Sequence, residues 1–323
     1  MILSLKWPLL IVPLCKGVFA SVGDSSPYYN ACVKECSIDI CKRGKEETFS
    51  YNLFGLIISL WSCLENCEYM CQWKTVEIFQ RNNWRIPQFK GKWPFIRLFG
   101  LQEPASVVFS LFNFFVILKM FLMFKEKVSK NAPYYYIWHF YTGVCLNCWL
   151  WSSVYHTRDN DFTERMDYMS AFLMVMTSFY TMGLRHLSAT LNVKTILWTV
   201  FCGCIALNHL AYLCFYYFDY EYNMKLNCAV GGLTVVGWIL WTFLSYPTQR
   251  HSWKASMYSV SVVVSTALEL TDFPPIFWVF DAHSLWHLST AFLNIIFYSF
   301  IIDDCNYLTE IKVHISDSKT KLK

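Results

Sequence analysis

The sequence predicts an all-α membrane protein, a seven-transmembrane helix bundle preceded by an N-terminal disulfide-rich luminal domain. Three observations predict it. Of 323 residues, 55% are hydrophobic and only 15% charged, against about a quarter charged in an ordinary soluble domain. The apolar residues gather in repeated runs of membrane-spanning length, so the bilayer is the main solvent. Ahead of the first run, six cysteines stand in two clusters, in a stretch polar enough to fold in water. The net charge of +4 is too small and too dispersed for a nucleic-acid partner.

Residues 1–20 read as a signal peptide. Lys6 gives a weakly positive start, Trp7 to Cys15 a short apolar core, and Val18-Phe19-Ala20 a small-residue cleavage site. Pro8 and Pro13 interrupt a run already short for a spanning helix. An uncleaved anchor is the alternative. Cleavage places the new amino terminus outside the cytosol.

Residues 21–103 form the luminal cysteine-rich domain. Cys32, Cys36 and Cys41 make one cluster, and Cys63, Cys67 and Cys71 the other. Their spacing sets successive cysteines near one face of a helix. Two such helices packed antiparallel can pair in nested order, first with last, although six cysteines allow fifteen pairings. A zinc cluster is the alternative, and an oxidising compartment favours disulfides.

From Pro104 onward the apolar stretches are 104–124, 134–156, 167–186, 195–218, 225–246, 253–270 and 283–302. With the first domain luminal, the cytosolic loops and the tail, 303–323, contain Lys125, Lys127, Lys130, Arg185, Lys194, Arg250, Lys254, Lys312, Lys319, Lys321 and Lys323. The luminal loops contain Arg158, Arg165 and Lys225. Eleven against three is the bias of the positive-inside rule, and it requires an odd number of spans. Lys319 and Lys321, fifth and third from the end, resemble a dilysine retrieval signal that coat machinery reads on a cytosolic tail. A plain basic terminus is the alternative.

Ionisable residues inside membrane segments are expensive and therefore informative. Ser152 and His156 lie one turn apart near the end of span 2, Asp167 opens span 3, and His283 and His287 lie one turn apart at the start of span 7. By parity all five share one luminal depth. Three neutral imidazoles converging there leave a tetrahedral position open, the arrangement of a catalytic zinc site, with Asp167 available as a base. His139, His186, His209 and His251 read as ordinary interfacial side chains.

Ser152-x-x-x-His156, Asp167 eleven residues later, and His283-x-x-x-His287 in the last span resemble the signature of the superfamily of alkaline ceramidases and adiponectin/progestin-type receptors. Within it the chain is most similar to the GPI-anchor remodelling branch, the post-GPI attachment to proteins factor 3 family. The six-cysteine domain, Gln88-Phe89-Lys90-Gly91-Lys92-Trp93-Pro94-Phe95, Gln102-Glu103-Pro104-Ala105-Ser106, His156-Thr157-Arg158-Asp159, Asp272-Phe273-Pro274-Pro275 and Asp281-Ala282-His283 carry that likeness. Lys90 departs from it, standing where histidine is expected.

The resemblance implies a zinc-dependent, phospholipase A2-like hydrolase domain over 104–302, acting in the luminal leaflet of early secretory membranes, Golgi with endoplasmic reticulum retrieval. Its substrates would be GPI-anchored proteins, which lose the sn-2 acyl chain of the anchor lipid. His156, His283 and His287 would hold zinc, Asp167 would be the base, and Ser152 a supporting hydroxyl. A serine esterase using Ser152, a receptor with structural zinc, and a non-catalytic chaperone for GPI proteins are the competing readings.

Overall fold

The computed structural model describes residues 21–41, 50–53, 56–59, 61–187, 192–216 and 218–321, with the side chains of 50–59 and 315–321 left aside. The predicted signal peptide, Lys323 and the side chains of Lys319 and Lys321 lie outside the described residues. Two compact units are present: residues up to Glu46 with Cys63–Trp93, and Glu47–Ser62 with Pro94–Lys323. Residues 47–62 and 94–103 thus belong with the larger helical unit.

In the first unit, helix α1 (Pro27–Cys36) begins with proline in its first turn and runs into a π-helical turn, Ser37–Cys41. Helix α2 (Cys63–Arg81) supplies the other three cysteines. Cys32 bonds Cys71, Cys36 bonds Cys67 and Cys41 bonds Cys63. The order is nested, which only antiparallel helices with facing cysteine stripes permit. All six sulfurs are consumed, so the zinc-cluster alternative falls away. So small a unit buries little apolar surface, and covalent staples replace the missing core. Lys90 also has a structural role: its ammonium bonds Glu68 at 2.8 Å and its backbone N–H bonds Asp24 at 2.7 Å.

The second unit opens on a short antiparallel hairpin, β1 (Ser50–Leu53) with β2 (Leu56–Ser59), which the all-α expectation did not include. Helices α3 (Pro104–Lys127), α4 (Tyr135–Thr157), α5 (Asp161–Leu187), α6 (Val193–Phe215), α7 (Tyr220–Ser245), α8 (Trp253–Glu269) and α9 (Ala282–Lys321) follow. α3 packs between α4 and α9, α4 on α5, α5 on α7, α7 on α8 and α8 on α9, with α6 against α5. Aromatic side chains fill the middle, among them Trp138, Phe172, Trp238, Phe297 and Phe300.

Helix α3 shows how the bundle meets its solvent. Ser106, Ser110, Asn113, Ile117, Met120 and Phe124 recur at three- and four-residue steps and are buried. Val108, Phe115 and Leu122 lie on the opposite face and are each more than half exposed. Near its start the helix is polar inside and apolar outside, which suits lipid and not water. Among the described residues, Pro104–Lys127, Val193–Phe215, Tyr220–Ser245 and Ala282–His314 are long and apolar enough to cross a membrane. The protein is a multi-pass membrane protein. The other three helices miss that standard for local reasons: α8 has 17 residues, α5 has no 18-residue stretch free of both Asp167 and Arg185, and α4 is rich in Tyr and Trp and carries His139 and Asn147.

Several boundaries differ from the hydropathy reading because side-chain caps extend the helices. Asn160 accepts from the N–H groups of Phe162 and Thr163, starting α5 at Asp161, so Asp167 sits in its second turn. Asp219 caps α7 in the same way. α9 continues past 302 through the predicted tail as far as Lys321. Asp304 permits this: its fully buried carboxylate takes two bonds from Arg185 and one from His251. Arg185, counted above as a cytosolic loop charge, is therefore mostly buried in an ion pair.

Candidate metal centre

The three histidines reach one point because two helix ends are pinned. At the end of α4, the N–H groups of Gln102 and Glu103 bond the carbonyls of Thr157 and His156, each at 3.0 Å. These carbonyls belong to the last turn, which has no partners of its own. The Asp159 N–H then donates to the Gln102 side chain at 2.9 Å. At the start of α9, the Ser284 N–H donates to the Asp281 carboxylate at 2.8 Å, and the Asp281 N–H to the Ser284 hydroxyl at 3.0 Å. This reciprocal cap sets His283 and His287 in the first two turns. Burial pushes the Asp281 carboxyl above the usual carboxylate range, against the pull of His283 and the Ser284 N–H.

His156 Nε2 stands 3.3 Å from His283 Nε2, which stands 2.8 Å from His287 Nε2. One nitrogen from each ring lies within 4.8 Å of the others. Two nitrogens on a tetrahedral zinc, each about 2.0–2.1 Å from it, stand roughly 3.3 Å apart. The donor set fits a metal of that kind.

The outer nitrogens are also held. His156 Nδ1 bonds Glu103 Oε2 at 2.8 Å, His283 Nδ1 bonds Glu269 Oε1 at 2.9 Å, and His287 Nδ1 meets the Ser110 hydroxyl at 3.2 Å. Asn113 donates to the His287 carbonyl at 2.7 Å, and Trp149 packs edge-on against the His287 ring. Ser152, buried one turn before His156, bonds Ser110 at 3.0 Å, so its hydroxyl reaches His287 through a second serine. Asp167 stands on α5, within electrostatic reach of Cys148 and Tyr155 on α4.

Sequence reasoning passed over Glu103, Ser110 and Glu269. Two signals for them were present. Glu269 is an acid inside the predicted sixth span, and Ser110 lies one turn after Ser106 and three residues before Asn113, a polar row in a largely apolar span. Four other histidines bond protein groups: His139 the Tyr135 carbonyl, His186 the Gly237 carbonyl, His251 Asp304 and His209 Asn223. His209, read as interfacial from sequence, is instead buried, and its Nδ1 has no hydrogen-bond partner among the described residues.

Fold and site together define a multi-pass helical membrane protein with a three-histidine cluster, His156 and His287 buried and His283 partly exposed, each ring steadied from outside. The chain is a member of the Per1-like family, which it matches over residues 54–305. It is 39% identical over 295 residues to the Danio rerio protein named GPI-specific phospholipase A2-like PGAP3, covering 90% of this chain and 92% of that protein. The Homo sapiens protein of the same name is 37% identical over 297 residues, 89% of this chain and 90% of its own length. The Drosophila melanogaster protein named Post-GPI attachment to proteins factor 3 is 36% identical over 298 residues, 90% and 91% of the two chains.

Proposed function

We propose that this protein remodels GPI anchors as a zinc-dependent, phospholipase A2-like hydrolase that removes the sn-2 acyl chain from GPI-anchored proteins. The observation that carries the reading is the meeting of the His156, His283 and His287 Nε2 atoms inside a membrane bundle, joined to relatives whose names specify that lipid class. Zinc held there supplies Lewis acidity, polarising an ester carbonyl and lowering the pKa of water toward about 7. Asp167 takes the proton of the attacking water and returns it to the departing glycerol oxygen. The acyl carbon–oxygen bond breaks, leaving a fatty acid and a lyso-anchor. Ser152 steadies the cluster through Ser110. That hydroxyl partner favours a supporting role over a nucleophilic one, because His156 is engaged by Glu103 on one nitrogen and faces His283 with the other.

All seven helices from Pro104 on cross the membrane in this reading, with the cysteine unit and the histidines luminal and Lys323 cytosolic. The substrate ester lies in the luminal leaflet of early secretory membranes. Retrieval from the Golgi through Lys319 and Lys321 engages coat machinery. The test is metal analysis of the purified protein together with fatty-acid release from a GPI-protein substrate. One equivalent of zinc and chelator-sensitive release are expected. Release that persists in metal-free protein would overturn the zinc mechanism, and bound zinc with no release would favour a receptor.

A further inference from the structure

We propose that Glu103 and Glu269 are positioning residues that lock His156 and His283 as Nδ1–H tautomers and give the centre the charge that selects a divalent cation. The inference rests on the metal reading above and deepens it. An ionised carboxylate only accepts hydrogen bonds. With Glu103 2.8 Å from His156 Nδ1 and Glu269 2.9 Å from His283 Nδ1, both Nδ1 atoms carry the proton. Both Nε2 atoms then present lone pairs, and they face each other across 3.3 Å. Two facing lone pairs repel unless a cation lies between them or one ring takes a second proton. Two carboxylates bonded to the histidines leave the centre net negative, a charge that a divalent cation offsets. A buried ion of either sign is costly unless compensated.

The three arms are not equivalent. Glu103 is 5% exposed at its side chain and is held to α4 through its own backbone N–H. Glu269 is 36% exposed, ends the shortest helix of the bundle, and has a second carboxylate oxygen, Oε2, buried without a hydrogen-bond partner among the described residues. His287 has a neutral partner, Ser110, itself bonded to Ser152. Charge acts more strongly where water is excluded, so Glu103 dominates, Glu269 follows, and the serine arm matters least.

The experiment titrates cobalt(II) into full-length purified protein against a competing chelator and records the visible absorption of the loaded protein. Glutamine keeps an acceptor oxygen and removes the charge, so a merely structural hydrogen bond survives the exchange. Glu103→Gln and Glu269→Gln should each weaken binding about 10–100-fold, Glu103→Gln more, and each should alter the absorption bands. Ser110→Ala should weaken binding less than either. Wild-type protein that takes up no cobalt would defeat the metal reading itself. Tight wild-type binding with unchanged affinity and spectrum in both glutamine variants would overturn this inference and leave the metal reading standing. If Glu103→Gln does not fold, Glu269→Gln, at a partly exposed site, decides the matter alone.

Discussion

Arg185 and Asp304, 119 residues apart, meet in a bidentate ion pair of 2.8 and 2.9 Å. Asp304 follows His283 by 21 residues in one unbroken helix, which at 1.5 Å per residue sets them about 30 Å apart. That distance is close to the thickness of the hydrocarbon layer. The start of α9 therefore carries the histidines, and its middle a sealed charge cluster in which Gln249 and His251 also take part.

Breaking that cluster should destabilise the bundle without touching His156, His283 or His287. Asp304→Ala leaves Arg185 buried and uncompensated, a loss of about 3–5 kcal/mol. Replacing both partners, Arg185→Met with Asp304→Leu, should recover most of it. Thermal unfolding of the three purified proteins in detergent checks this, and equal stability of the single and double variants would argue against the buried pair.

The proposed topology rests on the eleven-to-three distribution of basic residues, of which Arg185 is spent in the Asp304 ion pair. Protease added to sealed microsomes should remove a tag placed after Lys323 and spare the cysteine unit. A tail tag that resists digestion would rule out an odd number of spans.

Alkylation without reductant should leave Cys32, Cys36, Cys41, Cys63, Cys67 and Cys71 unlabelled, since all six are paired. Cys145, Cys148, Cys202, Cys204 and Cys214 are free thiols in the helices and should react once the protein is denatured. Removing the outermost bridge by Cys32→Ala with Cys71→Ala should cost about 2–5 kcal/mol, read by limited proteolysis of the cysteine unit. Six reactive cysteines at these positions in unreduced protein would refute the stapled unit.

The proposed mechanism separates three residues by their effects. His283→Ala should lose metal and hydrolysis together while the protein still inserts. Asp167→Asn should keep metal while turnover falls about 10²–10⁴-fold, the usual cost of losing a general base. Ser152→Ala should cost about 10–100-fold as an outer-shell hydroxyl, whereas loss of a nucleophile would leave almost nothing. Fatty-acid release undiminished in the His283→Ala/His287→Ala double variant would remove the histidines from the mechanism and bring the receptor and chaperone readings forward.

What the sequence by itself determined is what local chemistry encodes. The helices of the bundle were legible because lipid demands long apolar runs, and the cysteine stripes and the His283–His287 pair because a helix repeats every 3.6 residues. Their ends were less legible: Asn160 and Asp219 begin helices through single side-chain caps that hydropathy does not register. Only the tertiary structure decided which distant groups meet. Glu103 finds His156 across 53 residues, and Arg185 finds Asp304 across 119. No periodicity links such partners, because their closeness depends on how α3 lies against α4 and on where the bundle sets the end of α5 relative to the middle of α9. An acid such as Glu103 or Asp304 is a cost to the bundle when considered alone, and becomes part of its architecture once a buried imidazole or guanidinium stands within hydrogen-bond reach.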